Sequence, residues 1–147
     1  MRAAIALVLG LTAAITTGAA AQAQSGGLSL SGQWFRLVMR SLPAAGYFTL
    51  SNDSAAPRKL VGAASPACGS LMLHQSVSGG GEERMAMVPS VVVPAHGQAA
   101  FAPGGYHLMC TSPTAAMTPG GSVPVTLRFA DGGHLTASFP VRGATGK

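Results

Sequence analysis

The chain has 147 residues, and its nine Lys and Arg against four Asp and Glu give a formal net charge of +5. The basic residues are scattered and form no run, so the charge does not predict a nucleic-acid-binding protein. The sequence contains no Gly-x-Ser-x-Gly or His-Glu-x-x-His motif and no plausible carboxylate pair. We therefore do not predict an enzyme.

The first residues are typical of a secretory signal peptide. Arg2 precedes an apolar stretch from Ala3 to about Ile15, and small residues follow up to Ala21-Gln22-Ala23. This stretch is shorter than the roughly 18 apolar residues that span a bilayer. We expect cleavage after Ala23 and a periplasmic product, residues 24–147, that forms one domain without a transmembrane segment.

Hydrophobic residues in the exported part recur with a period of two, and Gly, Pro, Ser and Asn are common in the connections. No window offers a long helical stripe, so the pattern predicts an all-β sandwich or barrel of seven to nine strands. Asp131-Gly132-Gly133 predicts a tight hairpin between the last two strands. The predicted strands are Leu28–Met39, Gly46–Leu50, Lys59–Ala63, Leu71–Val77, Val91–Val93, Ala99–Ala102, Tyr106–Thr111, Val123–Phe129 and His134–Val141.

Sulfur and imidazole donors outnumber carboxylates in the exported part. Without Met1 it contains six methionines and four histidines, and five of those methionines fall between positions 72 and 117. Thioether and imidazole ligands suit a soft ion such as copper(I), whereas calcium and magnesium require oxygen ligands. The composition therefore predicts a copper(I) site.

Strand alternation places the candidate ligands in pairs. Residues two apart share a face of a strand, so His107 and Met109 point to the same side, and Met72 and His74 do likewise on their own strand. Met85 follows a glycine-rich turn and is positioned to complete the site. Each strand is thus expected to supply half of a metal site.

The spacing of these residues resembles a known motif. His74, ten residues, Met85, twenty-one residues and His107-Leu108-Met109 form His-x10-Met-x21-His-x-Met, which is similar to the motif of the PCuAC family of periplasmic copper chaperones. The segments AAGYFTLSND, KLVGAASPACGSLMLHQ, PGGYHLM and VPVTLRF also resemble sequences of that family.

The resemblance implies that His74, Met85, His107 and Met109 bind copper(I) on a cupredoxin-like Greek-key β-sandwich. It also implies a chaperone or buffer that exchanges copper with periplasmic proteins, such as the CuA subunit of cytochrome oxidase or a Sco-type thiol protein. We expect a monomer. One departure is Gln75, which stands where some family members have a second methionine.

Other interpretations remain open. Met72 and Met87 are secondary candidates for the metal. Cys110 adjoins Met109 in sequence, but alternation turns it to the opposite face, which favours a disulfide with Cys68 in an oxidising compartment. The alternative functions are a blue-copper electron-transfer protein, which requires a cysteine thiolate ligand, and a secreted structural sandwich without metal. We expect two further methionines to fill the core and two histidines to lie on the surface, namely Met39, Met117, His96 and His134.

Overall fold

The computed structural model describes residues 24–147, and the predicted signal peptide lies outside this range. The described residues form eleven strands and no helix, and none of their segments is a helix able to cross a membrane. The strands are β1 (Gln24–Ser25), β2 (Leu28–Arg36), β3 (Ala44–Asn52), β4 (Arg58–Ala64), β5 (Cys68–Gly79), β6 (Glu82–Met87), β7 (Val91–Val93), β8 (Gly97–Phe101), β9 (Tyr106–Pro113), β10 (Ser122–Phe129) and β11 (His134–Arg142).

The strands form two layers joined through β11. Their hydrogen-bonded order is β6-β5-β9-β8-β3-β2-β11-β10-β4-β7, and β9 also pairs directly with β3. β10 and β11 show why the sequence folds this way, since buried and exposed residues alternate along each of them. One face of each strand is therefore apolar and packs into the core between the layers.

The prediction of an all-β sandwich is confirmed, but two strands were missed. β1 is only two residues long, and β6 follows a turn in which Gly80 and Gly81 both have positive φ. Glu82 and Glu83 follow this turn directly and begin β6. All six residues of β6 are exposed, so no buried face marked the strand in the sequence.

The hairpin and the cysteines agree with their predictions. Gly132 has a φ of 87°, and the backbone N–H of Gly133 donates to the Asp131 carboxylate at 2.9 Å between β10 and β11. Cys68 and Cys110 form a disulfide with a Cα–Cα distance of 5.4 Å. This bond ties the start of β5 to β9, the strand that carries His107 and Met109.

One prediction about the core is wrong. Met117 is fully buried, as expected, but the side chain of Met39 is 53% exposed in the connection between β2 and β3. A methionine beyond the end of a strand is no longer directed by the alternation of that strand, which explains the error. His96 and His134 are exposed as predicted.

Candidate metal centre

Three neighbouring strands carry the candidate ligands on one face of the sheet, which we call the donor face. On β5 and β9, His74 lies directly opposite His107, and Met72 lies directly opposite Met109. The residues that alternate with them along the two strands, including Leu71, Leu73 and Leu108, point to the other face and are buried in the core. The structure therefore has the face sharing that the alternation predicted.

His107 is buried and has one ring nitrogen without a partner. Its side chain is 3% exposed, and its Nδ1 lies 3.2 Å from the carbonyl oxygen of Gly105. That carbonyl can only accept, so in the neutral imidazole this hydrogen bond places the proton on Nδ1 and the lone pair on Nε2. Nε2 is buried and has no hydrogen-bond partner. This is the arrangement of a metal-ligating histidine, whose second nitrogen is oriented by a backbone carbonyl.

Asn52 provides a useful comparison, because it and His107 are the buried polar residues of the part of the chain that the structure describes. The Asn52 amide donates to backbone carbonyls of Ala56, Val93 and Pro94 at 2.9 to 3.2 Å. Its oxygen accepts from Ser54. A buried polar group in this fold is thus fully bonded where its role is structural, and His107 differs.

His74 is half-buried, and neither of its ring nitrogens has a hydrogen-bond partner. Its ring centroid lies 5.8 Å from that of His107. Burial, and secondly the charge of His107, lower the pKa of His74 below 6.5. Both effects favour the neutral imidazole, which is the form that binds a metal ion.

Met85 reaches the same region from β6. It lies opposite Ser76, two residue pairs along from the pair that His74 makes with Met87. Met85, His107 and Met109 together line a cavity of about 420 Å³, whose walls do not include His74. The remaining walls come from β2, β3 and the connection between them, from the β5–β6 hairpin and from the segment before β9: Arg36, Val38, Leu42, Pro43, Ala45, Tyr47, Ser76, Glu83, Pro103 and Gly104. Three of the four predicted ligands therefore line one cavity. The fourth, His74, lies on β5 directly opposite His107.

The donors at this site are imidazole nitrogens and thioether sulfurs. Within residues 24–147, no group of three or more His, Cys, Asp or Glu side chains is placed to hold a metal ion. Cys110 lies on the core face, where its sulfur is bonded to Cys68, and so it offers no thiolate to the donor face. Such a donor set suits a soft monovalent ion and lacks the cysteine ligand of a blue-copper site.

Sequence reasoning did not find the position of Met87. Its Cα lies opposite that of His74, whereas Met85 lies opposite Ser76. The alternation in Arg84-Met85-Ala86-Met87 indicates a strand with two methionines on one face, and this signal could have identified β6. The alternation alone does not predict that this strand pairs with β5.

Comparisons with known proteins give a consistent result. The family model described as "Putative lipoprotein LpqE-like" matches residues 28–141. A curated relative, "Putative lipoprotein Lxx21020" of Leifsonia xyli subsp. xyli, is 34% identical over 146 residues, which cover 96% of this chain and 87% of the relative.

Solved structures share the fold. Apo-DR1885 from Deinococcus radiodurans is 30% identical, with 97% of both chains covered and a TM-score of 0.62. The copper(I) form of DR1885 is 33% identical over 77% of this chain and 78% of that one, with a TM-score of 0.58. The copper-bound PCuAC domain from PmoF2 has a TM-score of 0.68 at 21% identity, covering 84% of this chain and 99% of that domain.

Proposed function

Since the chain belongs to the LpqE-like family, we propose that it is a copper(I)-binding chaperone or buffer that uses His74, Met85, His107 and Met109 as ligands. The observation that carries the proposal is that His107, whose buried Nε2 has no hydrogen-bond partner, lines one cavity together with Met85 and Met109. An unpartnered buried nitrogen costs free energy unless a ligand occupies it. Copper(I) would relieve that cost.

The choice of metal has separate support from the relatives. DR1885 has been solved with copper(I), and the PCuAC domain from PmoF2 has been solved with copper. The donor set leads to the same ion, because thioethers and neutral imidazoles bind soft monovalent copper better than hard cations.

The same donors favour transfer of the ion over permanent storage. A thioether binds without losing a proton, and a neutral imidazole adds no charge, so the bound centre keeps the single positive charge of copper(I). It holds the ion less firmly than thiolates would. Met85 is 62% exposed, so a ligand from another protein can reach the copper ion and take the place of Met85. The function is therefore that of a carrier rather than an enzyme.

Export completes the proposal. Residues 1–23 would direct the chain out of the cytoplasm and be removed after Ala23. The family description and the relative from Leifsonia both carry the word lipoprotein, which is consistent with a protein of the cell envelope. In the periplasm the chain would exchange copper with the CuA subunit of cytochrome oxidase or a Sco-type thiol protein.

A chelator competition measurement tests the copper proposal. We expect the wild type to bind one copper(I) per chain and the double variant His107→Ala with Met109→Ala to bind it far more weakly. The matched control is His96→Ala with Met39→Ala, which removes one exposed histidine and one exposed methionine and should bind as the wild type does. Unchanged binding in the first double variant would refute the ligand assignment.

A further inference from the structure

Two methionines on the donor face are not used by the proposed site. Met87 on β6 lies opposite His74 on β5, and Met72 on β5 lies opposite Met109 on β9. Both side chains therefore point to the same side of the sheet as the four proposed ligands. Met87 is 67% exposed and Met72 is half-exposed, so neither is packed as core filler in the way that the fully buried Met117 is.

Met72 and Met87 line a second cavity, of about 270 Å³. It lies along the part of β5 that precedes its pairing with β6, and it shares no lining residue with the first cavity. The remaining walls are Val61, Gly62, Leu71, Leu73, Val88, Pro89 and Arg128. Both unused methionines thus contribute to one cavity, and no acidic residue is among its walls.

His74 lies between the two groups of thioethers. In one row across the sheet its neighbours are Met87 on β6 and His107 on β9. Neither of its ring nitrogens has a partner, and it is not among the residues lining either cavity. The imidazole of His74 is therefore one strand away from Met87 on one side and one strand away from His107 on the other.

We propose that Met72, Met87 and His74 form a second copper(I) position, which exchanges the ion with the position made by Met85, His107 and Met109. The inference rests on the proposed function. A neutral imidazole has one free lone pair, so His74 serves one position at a time, and the chain holds one copper. The bonds from copper to Met85, His107 and Met109 break as those to Met72 and Met87 form, while copper stays monovalent and no proton is transferred.

The location of the second position suits it to release. Its ligands are the exposed Met87 and the half-buried Met72 and His74. The first position includes the buried His107. Copper thus passes from a sheltered site to the edge of the sheet, where thioethers of an acceptor can displace the ligands one by one.

The test uses the exported chain and copper(I) under anaerobic conditions, with ¹³C-labelled methionine methyl groups as the readout. In Met85→Leu, we expect copper(I) to shift the methyl signals of Met72 and Met87 and to leave Met39 unchanged. Leucine preserves the volume of methionine and removes only the sulfur, so the fold is retained. Met39→Leu is the matched control for loss of an exposed methionine.

Affinity provides the second measurement. Met85→Leu should keep weakened binding, and adding Met72→Leu and Met87→Leu should weaken it by about a further tenfold or more. The second position is refuted if the triple variant binds as Met85→Leu does, or if the signals of Met72 and Met87 do not move in Met85→Leu. Failure of the wild type to bind copper(I) at all would instead refute the proposed function.

Discussion

His74 and His107 lie directly opposite each other on the antiparallel strands β5 and β9, with their ring centroids 5.8 Å apart. The two histidines are 33 positions apart in the sequence (107 − 74) and are brought together by strand pairing alone. A metal ion bound by both would link the two strands through their side chains. Copper binding is therefore expected to stabilise the fold as well as occupy the site.

Copper(I) should raise the free energy of unfolding. At a free copper concentration about 100 times the dissociation constant, the gain is about 2.7 kcal/mol, because only the folded chain has the site assembled. Thermal unfolding with copper(I), and again after its removal by a chelator, measures this gain. In the double variant His107→Ala with Met109→Ala the rise should be much smaller, and an equal rise there would mean that these two residues do not bind the ion.

The pH dependence should reflect the lowered pKa of His74. Burial and the charge of His107 hold this pKa below 6.5, so the ring is still largely neutral at pH 6.5 and protons compete with copper only at lower pH. We expect the affinity contributed by His74, measured as the difference between wild type and His74→Ala, to persist at pH 6.5 and to be lost below it. An NMR titration of the metal-free protein should give a His74 midpoint below 6.5. A midpoint above 6.5 would contradict the burial argument.

Leu108 and Met109 are neighbours in sequence on opposite faces of β9, so their substitution should separate stability from binding. Leu108 is fully buried, and Leu108→Ala should cost about 2 to 5 kcal/mol in the free energy of unfolding. Met109→Ala should cost less than about 1 kcal/mol but weaken copper(I) binding. Urea unfolding and chelator competition on both variants check this, and the reverse pattern would show that the faces are wrongly assigned.

The disulfide should contribute stability without supplying a ligand. Cys68 and Cys110 close a loop with a sequence separation of 42, for which loop-closure entropy predicts a contribution of about 4 kcal/mol. Replacing both with serine should lower the free energy of unfolding by that order, while copper(I) affinity at temperatures where the variant is folded stays close to that of the wild type. Loss of affinity in the folded variant would mean that Cys110 acts at the donor face after all. Alkylation and mass measurement of the exported wild type should find no free thiol.

Much of the candidate site could be predicted from local pattern. Alternation along β9 separates Met109 from Leu108 and Cys110, and the same alternation along β5 separates His74 from Leu73. These are properties of one strand and its own backbone. The burial of the leucines agrees with them. The ligand set itself remains a prediction.

The position of Met85 and Met87 could not be predicted in this way. Both are exposed residues of an edge strand, so no buried face fixes the register of β6 from its own sequence. The turn at Gly80 and Gly81 and the hydrogen bonds to β5 decide that His74 faces Met87 and that Met85 lies two pairs further along. The prediction that Met39 fills the core was wrong for a related reason, since Met39 lies beyond the end of β2.

The sequence by itself determined the all-β class, the choice of soft donors and the faces of individual strands, because composition and two-residue alternation are local properties of the chain. Only the tertiary structure decided which strands are neighbours, which cavity each thioether lines, and that the Nε2 of His107 is buried without a partner. These depend on pairings between distant segments and on what packs above each side chain. Neither is encoded in the spacing of residues along one strand.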